Sequence, residues 1–273
     1  MGRAILHIHT TFSDGTATVA EILDAVERDG EIDVVGFTDH DDSRAFDAAL
    51  AWKVAHPASQ VEPIWGVELT TWGFKHLCLY RATPPFPARP PRKFLSLRAA
   101  MHWAGSVGAL SIVPHVETVW IGLGSRRLER HAASLGIDGF ELLNPYLKSA
   151  RVLDGLASMN RRHARRHGRP LLALGGSDAH HLADLYRVVI DFPGRTPADF
   201  ERACRERTAL PRWGPPAPPP PLRQQLRQHA RALVVQPSEQ LRAWGVRHLD
   251  RRGGEPDAAA VDAADGGGVP TGP

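Results

Sequence analysis

Two histidines in an apolar segment near the start of the sequence are the first side chains that could do chemistry. The segment AILHIH, residues 4–9, is typical of a buried strand, and residues two apart in a strand point to the same side. We therefore expect His7 and His9 to face one direction, with Asp14 following in a turn. Two neighbouring imidazoles in an apolar setting need a shared partner, and a divalent metal ion commonly fills that role.

Further imidazoles and carboxylates recur along the sequence beside predicted strands. They are His40, Glu68, His76, His115, Glu141, Asp178 and His180. A buried set of this size would need an unusually complete hydrogen-bond network if no cation were present. Mixed imidazole and carboxylate ligation suits Mn, Fe or Zn at a catalytic site, and the lack of cysteine ligands argues against a closed structural zinc site. The set is too large for one ion, so we expect two or three divalent metal ions.

The elements that must position these side chains alternate between strands and helices up to about residue 210. The predicted strands are 4–9, 34–38, 64–69, 76–80, 109–113, 139–142 and 171–174. The predicted helices include 19–28, 45–55, 94–106, 127–135 and 149–167. Short apolar strands that alternate with helices indicate an α/β fold with a parallel sheet. Seven such strands suit a closed or nearly closed barrel, in which the carboxyl ends of the strands converge on one rim.

The composition changes after Trp213, which predicts that the catalytic domain covers residues 1–213. Residues 214–222, GPPAPPPPL, predict a stiff Pro-rich linker. Residues 223–252 are Arg-rich and predict a helical segment. Residues 253–273 consist mostly of Gly, Ala, Asp and Pro, and they predict a disordered tail.

The overall composition is ordinary for a globular protein and is sufficient for one large domain or two small ones. The chain has 273 residues, of which 42% are hydrophobic and 23% charged, and its formal net charge is only +3. We see no signal peptide and no apolar run long enough to span a membrane, so we expect a cytoplasmic protein. Cys78 and Cys204 lack motif spacing and are predicted to be buried, reduced thiols.

The motifs HIHTTFSDG, TDHDD, GVEL, HLCLY, PH and GSDAHH follow one another over residues 4–210. In this order they resemble the successive motifs of the PHP (polymerase and histidinol phosphatase) superfamily, in particular its short stand-alone metal-dependent phosphoesterases. The resemblance implies a distorted (β/α)7, TIM-like barrel with a trinuclear metal centre. Only 38 residues separate His76 from His115, which leaves no room for the small subdomain that some relatives insert there.

The resemblance also implies a division of the ligands among three ions. The first ion would be held by His7, His9, Glu68 and Asp178. The second would be held by His76, His115 and a bridging Glu68. The third would be held by Asp14, His40 and His180.

Phosphoester hydrolysis by a metal-activated hydroxide is the activity that this resemblance implies. His180 and His115 are the candidates for proton transfer, and Asp39 is the candidate for orienting His40. Arg187, Lys75 and Arg126 are the candidates for binding a substrate phosphate. Glu141 either supports a ligand or is an ordinary strand-end carboxylate, and His181 is predicted to be an exposed neighbour of His180.

Other functions remain open at the level of the sequence. A metal-activated hydroxide can also attack amide, ester or carbamate bonds. The chain is alternatively a metal-binding regulatory module whose Arg-rich segment recruits an acidic partner. The expected substrate is a small phosphorylated compound or a short nucleotide, and neither its identity nor the choice between monoester and diester follows from the residues.

Overall fold

The computed structural model describes residues 1–147, 149–216 and 221–230. Over these residues the strands are β1 Gly2–Ile8, β2 Val34–Phe37, β3 Glu62–Thr71, β4 Lys75–Arg81, β5 Leu110–Val113, β6 Gly139–Leu143, β7 Leu172–Gly175, β8 Val188–Phe192 and β9 Leu210–Trp213. The helices are α1 Val19–Asp29, α2 Arg44–Ala55, α3 Leu97–Ser106, α4 Ser125–Leu135, α5 Ala150–His167, α6 Pro197–Glu206 and α7 Leu222–Ala230. All seven predicted strands and all five named helices are present, with ends that differ by up to three residues.

The nine strands form one sheet that curls into a nearly closed barrel. Their order is β7-β6-β5-β4-β3-β2-β1-β8-β9, and β7 also lies against β8 and β9. The predicted fold class, an α/β barrel of the distorted TIM-like type, is therefore confirmed. The barrel brings the carboxyl ends of β1, β2, β5, β6 and β7 to one end of the molecule.

The expectation of a parallel sheet is only partly right. The pairs β1–β2, β2–β3, β5–β6 and β6–β7 are parallel, whereas β4 is antiparallel to both of its neighbours. The turn Trp72–Phe74 between β3 and β4 is too short for a crossover, so it can only reverse the chain. Strands β8 and β9 were not predicted, and both pair antiparallel at one edge of the sheet.

Apolar side chains fill the barrel and cover it on two sides. Inside, Leu6, Ile64 and Ile112 belong to one buried cluster. Outside, Ile5 packs in a cluster with residues of α1 and α2, while Phe140 packs in a cluster with residues of α3, α4 and α5. The alternation between inward and outward side chains in these strands sets which polar residues face the barrel interior.

The segment after Trp213 is described only in part. Residues 217–220 of the predicted linker, and residues 231–273 with most of the Arg-rich segment and the whole predicted tail, lie outside the described residues. Helix α7 begins at Leu222, the last residue of the predicted linker, and continues into the predicted helical segment. Among the described residues, no helix combines the length and apolar character that crossing a membrane requires. Cys78 and Cys204 are buried, unbridged thiols, as predicted.

Candidate metal centre

A β-bulge in β1 turns His7 into the barrel. In the pairing with β2, Ile5 and Ile8 are three residues apart while their partners Val35 and Phe37 are two apart, so β1 holds one additional residue. His7 adopts a left-handed backbone with φ 60°. Because the bulge shifts the alternation, His7 faces the interior although Ile5 packs outside. The predicted common direction of His7 and His9 is therefore correct, although a bulge rather than a regular strand produces it.

Four side chains converge just above this bulge. Nε2 of His7 lies 3.3 Å from Oε2 of Glu68, and Nε2 of His9 lies 3.4 Å from the same oxygen. Both imidazole nitrogens lie 3.5 Å from Oδ1 of Asp178. Ligand atoms about 2.1 Å from a tetrahedral zinc ion would be about 3.4 Å apart. The spacing of these four side chains is thus that of donors around one cation.

The second oxygen of Glu68 faces a different pair of histidines. Oε1 lies 2.9 Å from Nδ1 of His76 and 3.1 Å from Nε2 of His115. The two carboxylate oxygens of Glu68 therefore serve separate imidazole groups, an arrangement that suits a bridging carboxylate. His76 can reach this position because it lies across from Thr70 on the antiparallel partner strand, two residues from Glu68.

A third group of side chains surrounds Asp14. Oδ2 of Asp14 lies 3.2 Å from Nε2 of His180, and Oδ1 lies 3.9 Å from Nε2 of His40. The ligand atoms of these three residues and of His9 all lie within 4.8 Å of one another. His40 also approaches Glu68 with Nδ1, at 3.2 Å from Oε2, so the third group adjoins the first one.

The charges of this centre compensate one another strongly. Burial disfavours the charged form of Glu68, yet the imidazoles of His76 and His40 hold its pKa well below its usual range. Burial opposes a charge on His180 as well, but Asp14 raises the pKa of His180 to about 9. A protonated His180 therefore balances Asp14 when no cation is bound, and metal binding would displace that proton. Burial lowers the pKa of His40 to about 3, so His40 stays neutral.

Several buried nitrogen and oxygen atoms of the centre that could bind a metal ion form no hydrogen bond. Nε2 of His7, Nε2 of His9 and Oε2 of Glu68 are such atoms among the described residues. Buried polar groups without a hydrogen bond are costly, and native proteins rarely retain them without a reason. A divalent cation would satisfy all three at once, since imidazole and carboxylate are suitable ligands for Mn, Fe and Zn. The residues present therefore fit the implied metal group.

The structure places Asp39 against the loop between His9 and Asp14. Its Oδ1 accepts a hydrogen bond from the backbone N–H of Thr10 at 2.8 Å and another from the Ser13 hydroxyl at 2.5 Å. Its Oδ2 accepts a hydrogen bond from Oγ1 of Thr10 at 2.7 Å. The contacts of this carboxylate position the ligand loop, whereas the sequence suggested that it orients His40.

The three predicted phosphate-binding residues and His181 differ in their exposure to solvent and in their contacts. Arg187 is half-buried and forms an ion pair with Asp184 at 2.7 Å, while Nζ of Lys75 donates a hydrogen bond to the carbonyl of Trp120 at 2.6 Å. Arg126 is exposed at the start of α4. The prediction for His181 was wrong: it is only 7% exposed, and its Nδ1 lies 3.0 Å from Oγ1 of Thr16.

Three residues near the centre were missed or left undecided. Cys78 pairs with Glu68 across β3 and β4. Its sulfur atom and potential ligand atoms of His7 and Glu68 lie within 4.8 Å of one another, although burial raises the pKa of the thiol to about 12. Glu141 and Asn144 lie buried at the end of β6 and contact one another. The motif ELLN at a strand end was the available signal for this pair.

Comparison with models of protein families gives two matches. The model of the PHP domain matches residues 6–96, and the model described as PHP-associated matches residues 159–209. The first region carries six of the nine predicted ligands, and the second carries Asp178 and His180. None of the curated proteins matches the chain.

Solved structures with a similar fold include three bacterial proteins. They are a candidate metal-dependent phosphoesterase from Bifidobacterium adolescentis (16% identity, TM-score 0.51, 65% of this chain and 87% of that chain), an amidohydrolase from Chromobacterium violaceum with bound sulfate and no metal (18%, 0.53, 75% and 96%), and PsfC from Pseudomonas syringae (17%, 0.54, 84% and 97%). At these identities the likeness establishes a shared fold.

Proposed function

Because this chain belongs to the PHP superfamily, as its PHP domain and PHP-associated region show, we propose that it is a metal-dependent hydrolase of phosphoesters. The proposed site is trinuclear, with the three ligand groups that the resemblance implies. One observation carries the proposal: the two oxygens of Glu68 face separate histidine groups, and buried donor atoms there have no hydrogen bond. This is the arrangement expected of a carboxylate shared by two cations.

The metal ions would supply charge neutralisation for a phosphoryl group and an acidified water molecule. The chain's own residues hold the geometry. Nδ1 of His180 lies 3.0 Å from the carbonyl oxygen of Asp178, and because a carbonyl only accepts, this nitrogen carries the proton. When a cation is bound, Nε2 of His180 would present its lone pair on the side of Asp14, which suits ligation better than proton transfer. His115 also faces Glu68 with Nε2, at 3.1 Å from Oε1, and both histidines stay the candidates for proton transfer.

Aromatic side chains on the loops that follow the ligand-bearing strands would bind the organic part of a substrate. Trp72, Trp120 and Tyr146 are 77%, 82% and 63% exposed, and they follow β3, β5 and β6 respectively. Arg187, Lys75 and Arg126 are the proposed phosphate-binding residues, since charge-assisted hydrogen bonds favour phosphate oxygens. Flat apolar surfaces beside cationic groups suit a small organic phosphate.

A second candidate activity uses the same site on a carbonyl centre. The Chromobacterium protein of similar fold is named as an amidohydrolase, and hydrolysis of amide, ester or carbamate bonds would need the same ligands. A parallel assay on an aryl phosphate and an aryl carbamate distinguishes the two activities. Faster turnover of the carbamate would replace the phosphoesterase proposal with this one.

The His9→Ala variant tests the metal-dependent function. His9 contributes to two of the ligand groups, so we expect both metal content and aryl phosphate hydrolysis to fall together. Metal content is measured by elemental analysis of the purified protein, and hydrolysis by release of the aryl alcohol. The matched control is His102→Ala on the exposed face of α3, which should leave both unchanged. Full activity in His9→Ala would refute the proposed site.

A further inference from the structure

Glu141 contacts two of the proposed ligands and is itself almost completely buried. Its side chain is 1% exposed, and its Oε1 lies 2.7 Å from Nδ1 of His7. Its Oε2 accepts a hydrogen bond from the backbone N–H of His115 at 2.8 Å and another from Nδ2 of Asn144 at 2.8 Å. One carboxylate therefore joins residues that are more than a hundred positions apart in the chain.

The contact with Glu141 determines how His7 presents its ring. An ionised carboxylate only accepts hydrogen bonds, so Nδ1 of His7 must carry the proton. When a cation is bound, Nε2 of His7 would then present its lone pair on the side of Glu68 and Asp178. This tautomer is the one that a metal ligand needs, and a carboxylate behind a ligating histidine commonly provides it.

The contact with the backbone supports an unfavourable conformation at His115. This residue has a φ of 30°, in a region that residues other than glycine rarely adopt. The hydrogen bond from its N–H to Glu141 compensates part of that cost and directs the side chain toward Glu68. Asn144 completes the arrangement, because its Nδ2 also lies 3.4 Å from Oδ2 of Asp178.

Gly176 provides the space through which Glu141 reaches His7. A Cβ atom added at Gly176 would lie 2.9 Å from Cβ of His7 and would overlap Oε1 of Glu141. Gly176 follows β7, and its N–H donates a hydrogen bond to the carbonyl of Leu143 at 3.0 Å, so the backbone has little freedom to move away. Any larger residue at this position would displace the Glu141 carboxylate.

From these contacts we propose that Glu141 is a positioning residue for two of the three metal ions. It orients His7 in the first ligand group and His115 in the second. Among the described residues, its hydrogen bonds do not include Asp14, His40 or His180 of the third group. The inference rests on the proposed function, because it assigns those groups to bound ions. Its consequence is selective: loss of Glu141 weakens two sites and spares one.

Titration of the metal-free full-length chain with Mn²⁺ tests this selectivity. In the wild type we expect three binding events. Isothermal titration calorimetry measures their affinities, and elemental analysis measures the number of bound ions. Glu141→Gln removes the negative charge behind both histidines and turns an amide N–H toward one of the donors, so two events should weaken about ten- to hundredfold. The third event should keep its wild-type affinity, and adding His180→Ala to this variant should remove it. Glu206→Gln, at the exposed end of α6, is the matched control.

Gly176→Ala provides a second variant that keeps the carboxylate but moves it. We expect it to reproduce the selective loss seen in Glu141→Gln, with far-UV circular dichroism unchanged from the wild type. Wild-type affinity for all ions in Glu141→Gln would overturn this inference alone, and so would an equal loss of all three. Failure of the wild type to bind Mn²⁺ would overturn the proposed function, and the inference with it.

Discussion

Asp39 is a buried carboxylate that accepts hydrogen bonds from the neighbouring loop and holds it in place. It is fully buried, and burial raises its pKa although Ser13 and Thr10 donate hydrogen bonds to it. The loop that it holds carries Asp14 in the third ligand group. The contacts of Asp39, which precedes His40 in the sequence, therefore indicate that it maintains the geometry of this loop and not that it takes part in catalysis.

Substitution of Asp39 by Asn should lower stability by about 1–3 kcal/mol, because an amide N–H would face the donors Thr10 and Ser13 and leave one of them unsatisfied. The free energy of unfolding from urea titration measures this. The control is Asp42→Asn, whose carboxylate pairs with the exposed Arg44 and should change stability by less than about 0.5 kcal/mol. Unchanged stability in Asp39→Asn would contradict the assigned role.

His163 makes the fold sensitive to acid at a point on α5 that bears no proposed ligand. It is 4% exposed, and burial together with the neighbouring His167 lowers its pKa. The unfolded chain takes up a proton at this histidine near pH 6.5, whereas the folded chain does so only at lower pH. Stability attributable to this group is therefore lost as the pH falls below about 6.5.

We expect His163→Gln to lose less stability than the wild type between pH 7 and pH 5. The measurement is the free energy of unfolding at each pH for both proteins. His102→Gln, an exposed histidine of α3, should keep the pH dependence of the wild type. Parallel curves for the wild type and His163→Gln would show that His163 does not contribute.

At the scale of elements, the close approach of β2 and β3 brings His40 beside Glu68. The two residues form an isolated bridge beyond the end of β2. Gly66 in β3 permits this approach, since a Cβ atom there would overlap the carbonyl oxygen of Phe37 and lie 3.2 Å from Thr38. The position of the third ligand group relative to the first thus depends on a glycine in a strand.

Gly66→Ala should destabilise the protein by about 1–3 kcal/mol, because the added methyl group forces the strands apart. The same substitution at Gly105 in α3, where a Cβ atom would meet nothing within 4 Å, should stabilise by up to about 1 kcal/mol. Thermal unfolding measures both effects: the melting temperature should fall in Gly66→Ala and rise in Gly105→Ala. Equal effects would show that strand spacing at Gly66 is not the cause.

At the scale of the whole molecule, the proposed ligands lie between His7 and His180, and the sheet is completed by β9. The backbone N–H of Gly214 still donates a hydrogen bond to the carbonyl of Arg187 at 3.0 Å. The part of the chain after Pro216 contributes none of the proposed ligands. The division of the chain at residue 213 stays a prediction from composition.

A chain truncated after Pro216 should retain the metal content and the aryl phosphate hydrolysis of the full-length protein. Elemental analysis and kcat/KM for both proteins measure this. If hydrolysis is unchanged while binding to an acidic partner is lost, the Arg-rich segment serves recruitment. A loss of metal on truncation would place residues 217–273 in the folded unit and contradict the predicted domain boundary.

The sequence by itself determined the strands, the helices and the residue types at the strand ends. Apolar periodicity is a local property, so 4–9, 64–69 and the other predicted strands could be located without tertiary information. The ordered motifs then predicted nine ligands, all of which the structure brings into one buried centre. Strand β9 escaped prediction because it is short, contains Pro211 and is partly exposed. Strand β8, with the mostly buried sequence VVIDF, carried the apolar signal of a strand and was overlooked.

Only the tertiary structure decided how these residues are oriented. The bulge that turns His7 inward depends on pairing with β2, and the two oxygens of Glu68 acquire different partners only when β4 and β5 fold beside β3. The contact between His7 and Glu141 joins residues 134 positions apart and requires the space at Gly176. Such distances arise from the packing of the whole barrel, because a local pattern holds no information about which distant side chain will lie opposite.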